Sequence, residues 1–261
     1  MRALAAFATL VWCTVCAVVP VSEASSQVVG RPDEPVVLLQ MNLCSSGYAD
    51  CYRATSYPAI LRETSRQIAE HDPTAVTLNE VCSRDAARIA RLTGYHLRFA
   101  AVDEAGAPFP CANPGGRGVF GMAVLTLPDV TSAETRAFPT QSGEEARRWL
   151  CVTSATDVTF CTAHLDTRAS PEERMTNDTQ CRDLRRLLAG FATTRATFFA
   201  GDVNRVRPCA PTTMWVERDA AAAQLPGIQH VYGTVGAYAP AAHVTSAQHT
   251  DHDVLFVTRA S

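Results

Sequence analysis

Compact apolar runs that stop on a polar or ionisable residue recur along this chain, and they constrain its fold more than any other feature. Val36-Val37-Leu38-Leu39-Gln40-Met41-Asn42 is the first, a run suited to a buried strand and closed by an amide. Thr74–Leu78 leads to Glu80, Val158–His164 ends on its histidine, and Ala196–Ala200 precedes Asp202 and Asn204. Asp251 and His252 stand just before a last run, Val254–Val257. Strand ends gathered on one sheet edge meet in space however far apart they lie in sequence. Each residue alone reads more simply as a loop side chain bonded to nearby backbone. As a set they mark a site.

The intervening segments carry helix signals. Tyr57–His71 places Ile60, Leu61, Thr64 and Ile68 on one face, with Pro58 tolerated in the first turn. Arg84–Leu92 is expected to stop at Gly94, and Ser170-Pro171-Glu172-Glu173 has the N-cap, proline and acidic first turn that open a helix carrying Leu184, Leu187 and Leu188. Further strands are expected at Tyr95–Val102, Val119–Thr126, Val130–Phe138, Trp149–Thr153 and Ile228–Tyr232, with a helical stretch near Thr212–Ala223. The Pro- and Gly-rich segment Asp103–Arg117 is the candidate for the most flexible loop. Strand–helix alternation mixed with runs of consecutive strands implies a layered α/β protein: two packed sheets with helices outside.

Residues 3–20 form an apolar run behind Arg2, followed by the small-residue pattern Ser22-Glu23-Ala24, which reads as a signal peptide over residues 1–24. A retained membrane anchor is the competing reading, although no basic cluster follows the run; a lipid anchor at Cys13 conflicts with bulky Trp12 before it. Residues 25–35 are then a linker and residues 36–261 one domain, a size that single-core architectures reach. Cys13 and Cys16 leave with the leader, and the remaining eight cysteines, an even count in an exported chain, read as disulfides. Sequence order suggests Cys44–Cys51, Cys82–Cys111, Cys151–Cys161 and Cys181–Cys209. The third has its own support, because its cysteines sit symmetrically about the turn Ser154-Ala155-Thr156-Asp157.

Removing the leader takes away one charge of each sign, so the net charge stays at −3. That balance argues against a protein that coats DNA through many cation–phosphate contacts, but not against an enzyme that cuts and releases it. All 23 basic residues are arginine, a bias compatible with phosphate recognition and equally with codon usage.

The polar strand ends also form an ordered series of motifs. Gln40-Met41-Asn42-Leu43, Leu78-Asn79-Glu80-Val81, Thr162-Ala163-His164-Leu165, Gly201-Asp202-Val203-Asn204 and Thr250-Asp251-His252 occur in the order found in the endonuclease/exonuclease/phosphatase superfamily, which includes the pancreatic-type deoxyribonucleases. In these motifs the chain resembles that superfamily over nearly all of its length beyond the leader. The resemblance implies a four-layer α/β (α+β) sandwich of two packed mixed or antiparallel sheets flanked by helices. It also implies divalent-metal-dependent hydrolysis of phosphate esters. Asn42, Glu80 and Asp251 would serve the metal, Mg²⁺ with Mn²⁺ or Ca²⁺ as alternatives. Asp202 and Asn204 would hold water or phosphate, His164 would donate to a phosphate oxygen, and His252 would act as base.

The chemistry suits these residue types. Pushing water onto an anionic ester requires oxygen charge to be neutralised and the nucleophile to be oriented, and an imidazole takes a proton near neutrality. The expected substrate is a nucleic acid, met transiently by a monomer with no membrane span after processing; a phospholipid, a phosphomonoester or a catalytically weakened binding domain are the alternatives.

One position departs from the pattern. Where the family carries an aspartate that supports the final histidine, this chain reads Ile228-Gln229-His230-Val231, so Asp251, Asp253 or another carboxylate must take that place or His252 is a weaker base. Less weight falls on Arg147 and Arg148, on Asp166 and Arg168 as a loop pair, on His243 and His249 as loop metal ligands, and on Asn177-Asp178-Thr179 as a glycosylation acceptor.

Overall fold

The computed structural model describes residues 36–49, 51, 56–234, 236 and 239–259; the expected leader and linker lie outside them. In chain order the elements are β1 (Leu38–Asn42), α1 (Ala59–His71), β2 (Ala75–Cys82), α2 (Ser83–Thr93), β3 (His96–Ala101), β4 (Asp103–Glu104), β5 (Ala107–Pro108), β6 (Phe120–Thr126) and β7 (Val130–Ala137). There follow β8 (Arg148–Ser154), β9 (Thr159–Ala163), α3 (Pro171–Ala192), β10 (Thr197–Asp202), β11 (Met214–Arg218), β12 (Gln229–Thr234), β13 (Pro240–Thr245) and β14 (Val254–Arg259). Two six-stranded sheets result, ordered β13-β14-β1-β2-β6-β3 and β11-β12-β10-β9-β8-β7, with β4 and β5 as a separate ribbon.

Period-two alternation on buried strands builds the layers. On β1, Leu39 and Met41 pack with Ile60, Leu61 and Ile68 of α1 and Ile89 of α2, while Leu38 turns to the other sheet and meets a core of Val152, Phe160, Phe198 and Leu255. On β10, Phe198 joins that central core, whereas Phe199 faces α3 with Leu184, Leu188 and Tyr232. The order helix, sheet, sheet, helix is the expected four-layer sandwich.

Local chemistry sets the ends of the elements. Gly94 stops α2 in the left-handed conformation, φ 80°. Ser170 caps α3 by accepting from the Glu173 amide while the Glu173 carboxylate accepts from the Ser170 amide, a reciprocal capping box. The four disulfides pair in sequence order, and Cys151 and Cys161 sit directly opposite each other on β8 and β9.

Several expectations need correction. Residues near Thr212–Ala223 do not form a helix; Met214–Arg218 is an edge strand paired antiparallel with β12, so its ladder partner outweighs the helix preference of the alanines that follow. Asp103–Arg117 is anchored, not a free loop: Cys111 is bonded to Cys82, and the buried Arg117 guanidinium pairs with Asp85 at 3.0 Å. Asn177 is buried, with its amide donated to the Asp166 and Val203 carbonyls, and cannot accept a glycan in the fold. His243 lies on strand β13, not in a loop, with its ring 5.8 Å from that of Phe256. Among the described residues no helix is long and apolar enough to cross a membrane.

Candidate active site

Along the strands that face the gap between the sheets, the interior changes from apolar to polar. Past Leu38 on β1 comes Gln40, whose amide donates to the Asn79 carbonyl at 2.8 Å and to the Gln229 carbonyl at 3.3 Å. Asn79 accepts from the Asp202 backbone amide at 2.8 Å and donates to Thr162 at 3.3 Å. These bonds stitch one sheet to the other, and every buried polar group in them has a partner. Beyond them, at the ends of β1, β2, β9 and β10, the candidate residues gather.

Asn42 is the centre of the cluster. Its Nδ2 donates to Glu80 Oε1 at 2.9 Å and to Asp202 Oδ2 at 3.0 Å, and its backbone carbonyl accepts from Thr250 at 2.8 Å. Glu80 does not follow β2, as expected, but lies within it. The register with β6 slips between Leu78 and Val81, and Glu80 takes φ 52°. A bulge re-aims a side chain, here out of the pleat and onto Asn42. Gly201 is required by proximity: a Cβ there would sit 2.4 Å from the Ala163 carbonyl oxygen. That close approach brings β9 and β10 together where His164 and Asp202 bridge.

His164 Nε2 is 3.8 Å from Glu80 and 3.9 Å from Asp202; His252 Nε2 is 3.7 Å from Asp202 Oδ2 and 3.8 Å from Asp251. Asn204, at φ 51°, donates its backbone amide to Asp202 Oδ1 at 2.8 Å and its side chain to the Leu165 carbonyl at 3.0 Å. The structure therefore brings together Asn42, Glu80, His164, Asp202, Asn204 and His252, with Asp251 beside the last.

Electrostatics distinguish these groups. Burial pushes the Glu80 carboxyl up to about 7, opposed by the hydrogen bond from Asn42. Burial, with the Arg147 charge, holds His164 well below the usual imidazole range, so it is neutral. Arg147, which the sequence left without a role, contacts His164 Nδ1 at 2.8 Å and Glu145 at 3.0 Å. Nε2 also faces donors, the Asn204 side-chain amide at 3.1 Å and the same arginine at 3.3 Å, so both ring nitrogens of this neutral imidazole meet N–H groups. Arg148 turns away to Asp103 and the Ala101 carbonyl. Asp166 is buried and accepts from Ser142, while Arg168 pairs with Asp178, so the two do not form a loop pair.

Gln229 makes no bond to His252. Its Nε2 donates to the Asp253 carbonyl at 2.6 Å and to Asp219 Oδ2 at 3.3 Å. Both Asp253 carboxylate oxygens serve backbone amides, those of Ala223 and Ala247. Asp219 is the carboxylate behind the site, fully buried and raised by burial to about 6. Sequence reasoning missed it because its partner, Gln229, lies across a strand pair. His252 Nδ1 is buried with no partner among the described residues.

The donor set fits a hard divalent cation. Glu80 and Asp202 converge on one amide, and a carboxylate that burial alone drives toward neutrality is one that a cation would keep ionised. Cys44 and Cys51 also lie near Glu80, but they are joined to each other and offer no thiolate.

Comparison with known proteins agrees with this architecture. No curated protein sequence matches the chain. Among solved structures, an endonuclease/exonuclease/phosphatase from Beutenbergia cavernae superposes with TM-score 0.64 at 19% identity over 87% of this chain and 72% of that one. D. rerio TDP2 complexed with a single-strand DNA product gives 0.60 at 14% identity, covering 87% and 99% of the two chains. A mannosyl-6-phosphatase from Bacteroides thetaiotaomicron gives 0.58 at 10%, covering 85% and 98%. The model of the Endonuclease/Exonuclease/phosphatase family matches residues 51–252, and the chain belongs to that family of phosphoester hydrolases.

Proposed function

We propose that this chain is an exported, monomeric, divalent-metal-dependent phosphodiesterase that cleaves DNA or RNA by attack of water. The observation that carries the reading is the convergence of Asn42, Glu80, His164, Asp202, Asn204 and His252 on one end of the seam between the sheets, linked by contacts of 2.8 to 3.9 Å. The neighbour solved with a single-strand DNA product supports the choice of substrate, and the four disulfides support export.

In this reading Glu80 and Asn42 hold Mg²⁺, or Mn²⁺ or Ca²⁺ in its place, with Asp251 available to a second ion. Bound there, the cation would neutralise charge on the scissile phosphate. The chain supplies the rest. His164, kept neutral by burial and by the Arg147 charge, donates a ring proton to a non-bridging phosphate oxygen. Asp202, fixed by the Asn204 and Asn79 bonds, orients the water, and His252 Nε2 takes its proton. Asn204, whose Nδ2 lies 3.1 Å from His164 Nε2, holds the phosphate beside that histidine.

A phospholipid or phosphomonoester substrate is the second reading. Tyr48 and Phe109 stack with ring centroids 5.0 Å apart, on a cavity of about 400 Å³ that also contains Glu80 and His164. That wall suits an apolar or aromatic substituent, and the mannosyl-6-phosphatase shares the fold. A binding domain with weakened catalysis, suggested by Gln229, ranks last because the remaining site residues are all present.

Purified protein is expected to nick plasmid DNA with Mg²⁺ and to stop when chelator is added. Asp202→Ala and His252→Ala should each abolish turnover with an unchanged circular dichroism spectrum. Sphingomyelin or phosphomonoester turnover without cleavage of DNA or RNA would replace the nuclease reading with the second one.

A further inference from the structure

An open cleft of about 670 Å³ adjoins the site on the side of Asn204, between α3 and the segment that follows β10. Five arginines line it, Arg168, Arg182, Arg185, Arg205 and Arg207, against a single carboxylate, Asp178. Arg168 and Arg205 both bind Asp178 Oδ1, each at 2.7 Å, so one negative oxygen serves two guanidinium groups. Among the described residues Arg185 reaches only the backbone carbonyls of Pro208 and Ala210, and Arg182 only the Thr179 hydroxyl. Arg207 is exposed and its side chain has no partner among the described residues. The cleft thus concentrates unneutralised positive charge in a chain whose net charge is −3.

The Glu80 side of the centre has the reverse character. Its cavity carries Glu80, Glu104 and Glu145 beside the Tyr48–Phe109 stack, with Arg147 already engaged by Glu145 and His164. A polyanion bound at the centre is repelled there and attracted along the arginines. Guanidinium groups bind phosphate through paired N–H donors, and several in one trough match a chain of phosphates better than one compact anion.

We propose that this arginine cleft is a second phosphate site, which takes the sugar–phosphate backbone of a nucleic-acid strand adjoining the bond to be cut. The proposal rests on the reading of the Asp202–His252 centre as a phosphodiesterase site. It makes the preferred substrate an extended strand and predicts that a small diester gains nothing from the cleft.

The test separates binding from turnover. Binding of short fluorescein-labelled oligodeoxyribonucleotide and oligoribonucleotide is followed by anisotropy in the presence of EDTA, for the native protein and for Arg182→Glu/Arg207→Glu. The expected result is binding by the native protein in at least one arm, weakened about tenfold or more in the variant, with a log–log salt slope shallower by about 1.4, the loss of two single-strand phosphate contacts. The responding arm identifies the sugar. Should the charge reversal fail to fold, Arg182→Gln/Arg207→Gln replaces it. Equal binding by both proteins, or no binding of either strand by the native protein, overturns the proposal. Hydrolysis of bis(p-nitrophenyl) phosphate with Mg²⁺ is measured in parallel and should be equal in the two proteins. Its loss in the variant alone makes the arginines part of the centre and also overturns the proposal. Its absence in both proteins defeats the phosphodiesterase reading and leaves the anisotropy to judge the cleft.

Discussion

Gln229→Asp is the substitution that the family resemblance invites, since it would restore an acid behind the last histidine. The surroundings of Gln229 predict harm instead. The side chain is fully buried, and its Nε2 donates to the Asp253 carbonyl at 2.6 Å and to Asp219 Oδ2 at 3.3 Å. An ionised aspartate donates nothing, so both bonds are lost at about 1 kcal/mol each. The new carboxylate would also lie beside Asp219, already raised to about 6 by burial, with only the neutral Gln40 amide to donate to it, and a buried charge without a counter-charge costs about 3 kcal/mol. The expected deficit is about 5 kcal/mol at pH 7, a large part of the stability of an ordinary domain.

Its pH dependence has a definite sign. Both acids would titrate above their unfolded values, so the penalty is full above the folded pKa and fades as the pH falls toward about 4. Urea unfolding of native and variant protein at several pH values between 7 and 4.5 measures the difference, with turnover at pH 7 recorded alongside. A deficit under about 1 kcal/mol, a deficit that acid does not relieve, or faster turnover would refute the reasoning.

Two other outcomes follow from the same geometry. Asn42→Ala removes the amide between Glu80 and Asp202, and should lower kcat about 100-fold and raise the Mg²⁺ concentration for half-activation, read from metal titrations of plasmid cleavage; native-like values for both would take Asn42 out of the centre. Burial holds His230 down at about 4, so its neutral form contributes stability that is complete above about pH 6.5 and is lost as the pH falls toward 4, about 3 kcal/mol in all. His230→Gln should remove that part of the acid sensitivity of urea unfolding, and a native-like pH profile would count against it.

The polar ends of the strands were legible because they interrupt apolar runs, and the sequence order of His164, Asp202, Asn204 and His252 survives into their contact in space. Ser170 and Cys151–Cys161 were legible because capping and hairpin pairing act over a few residues. Features decided by distant partners were not. Met214–Arg218 becomes a strand through β12, and β13, beginning at Pro240 on a sheet edge, gave no signal of its own. Glu80 lies inside β2 because of a slip against β6 that no local pattern encodes. Arg147 reaches His164 only after β8 and β9 have paired, and Asn177 matches an exposed acceptor pattern while facing the interior.

The place of β1 also bears on when the protein can begin to work. Asn42 belongs to a strand hydrogen-bonded on one side by β2, made soon after it, and on the other by β14, the last described strand. During synthesis β1 waits with an open edge while the whole second sheet is made, and His252 joins only with the final turn before β14. A ribosome-bound chain therefore lacks the contact between His252 and Asp202 until the segment between β13 and β14 has emerged.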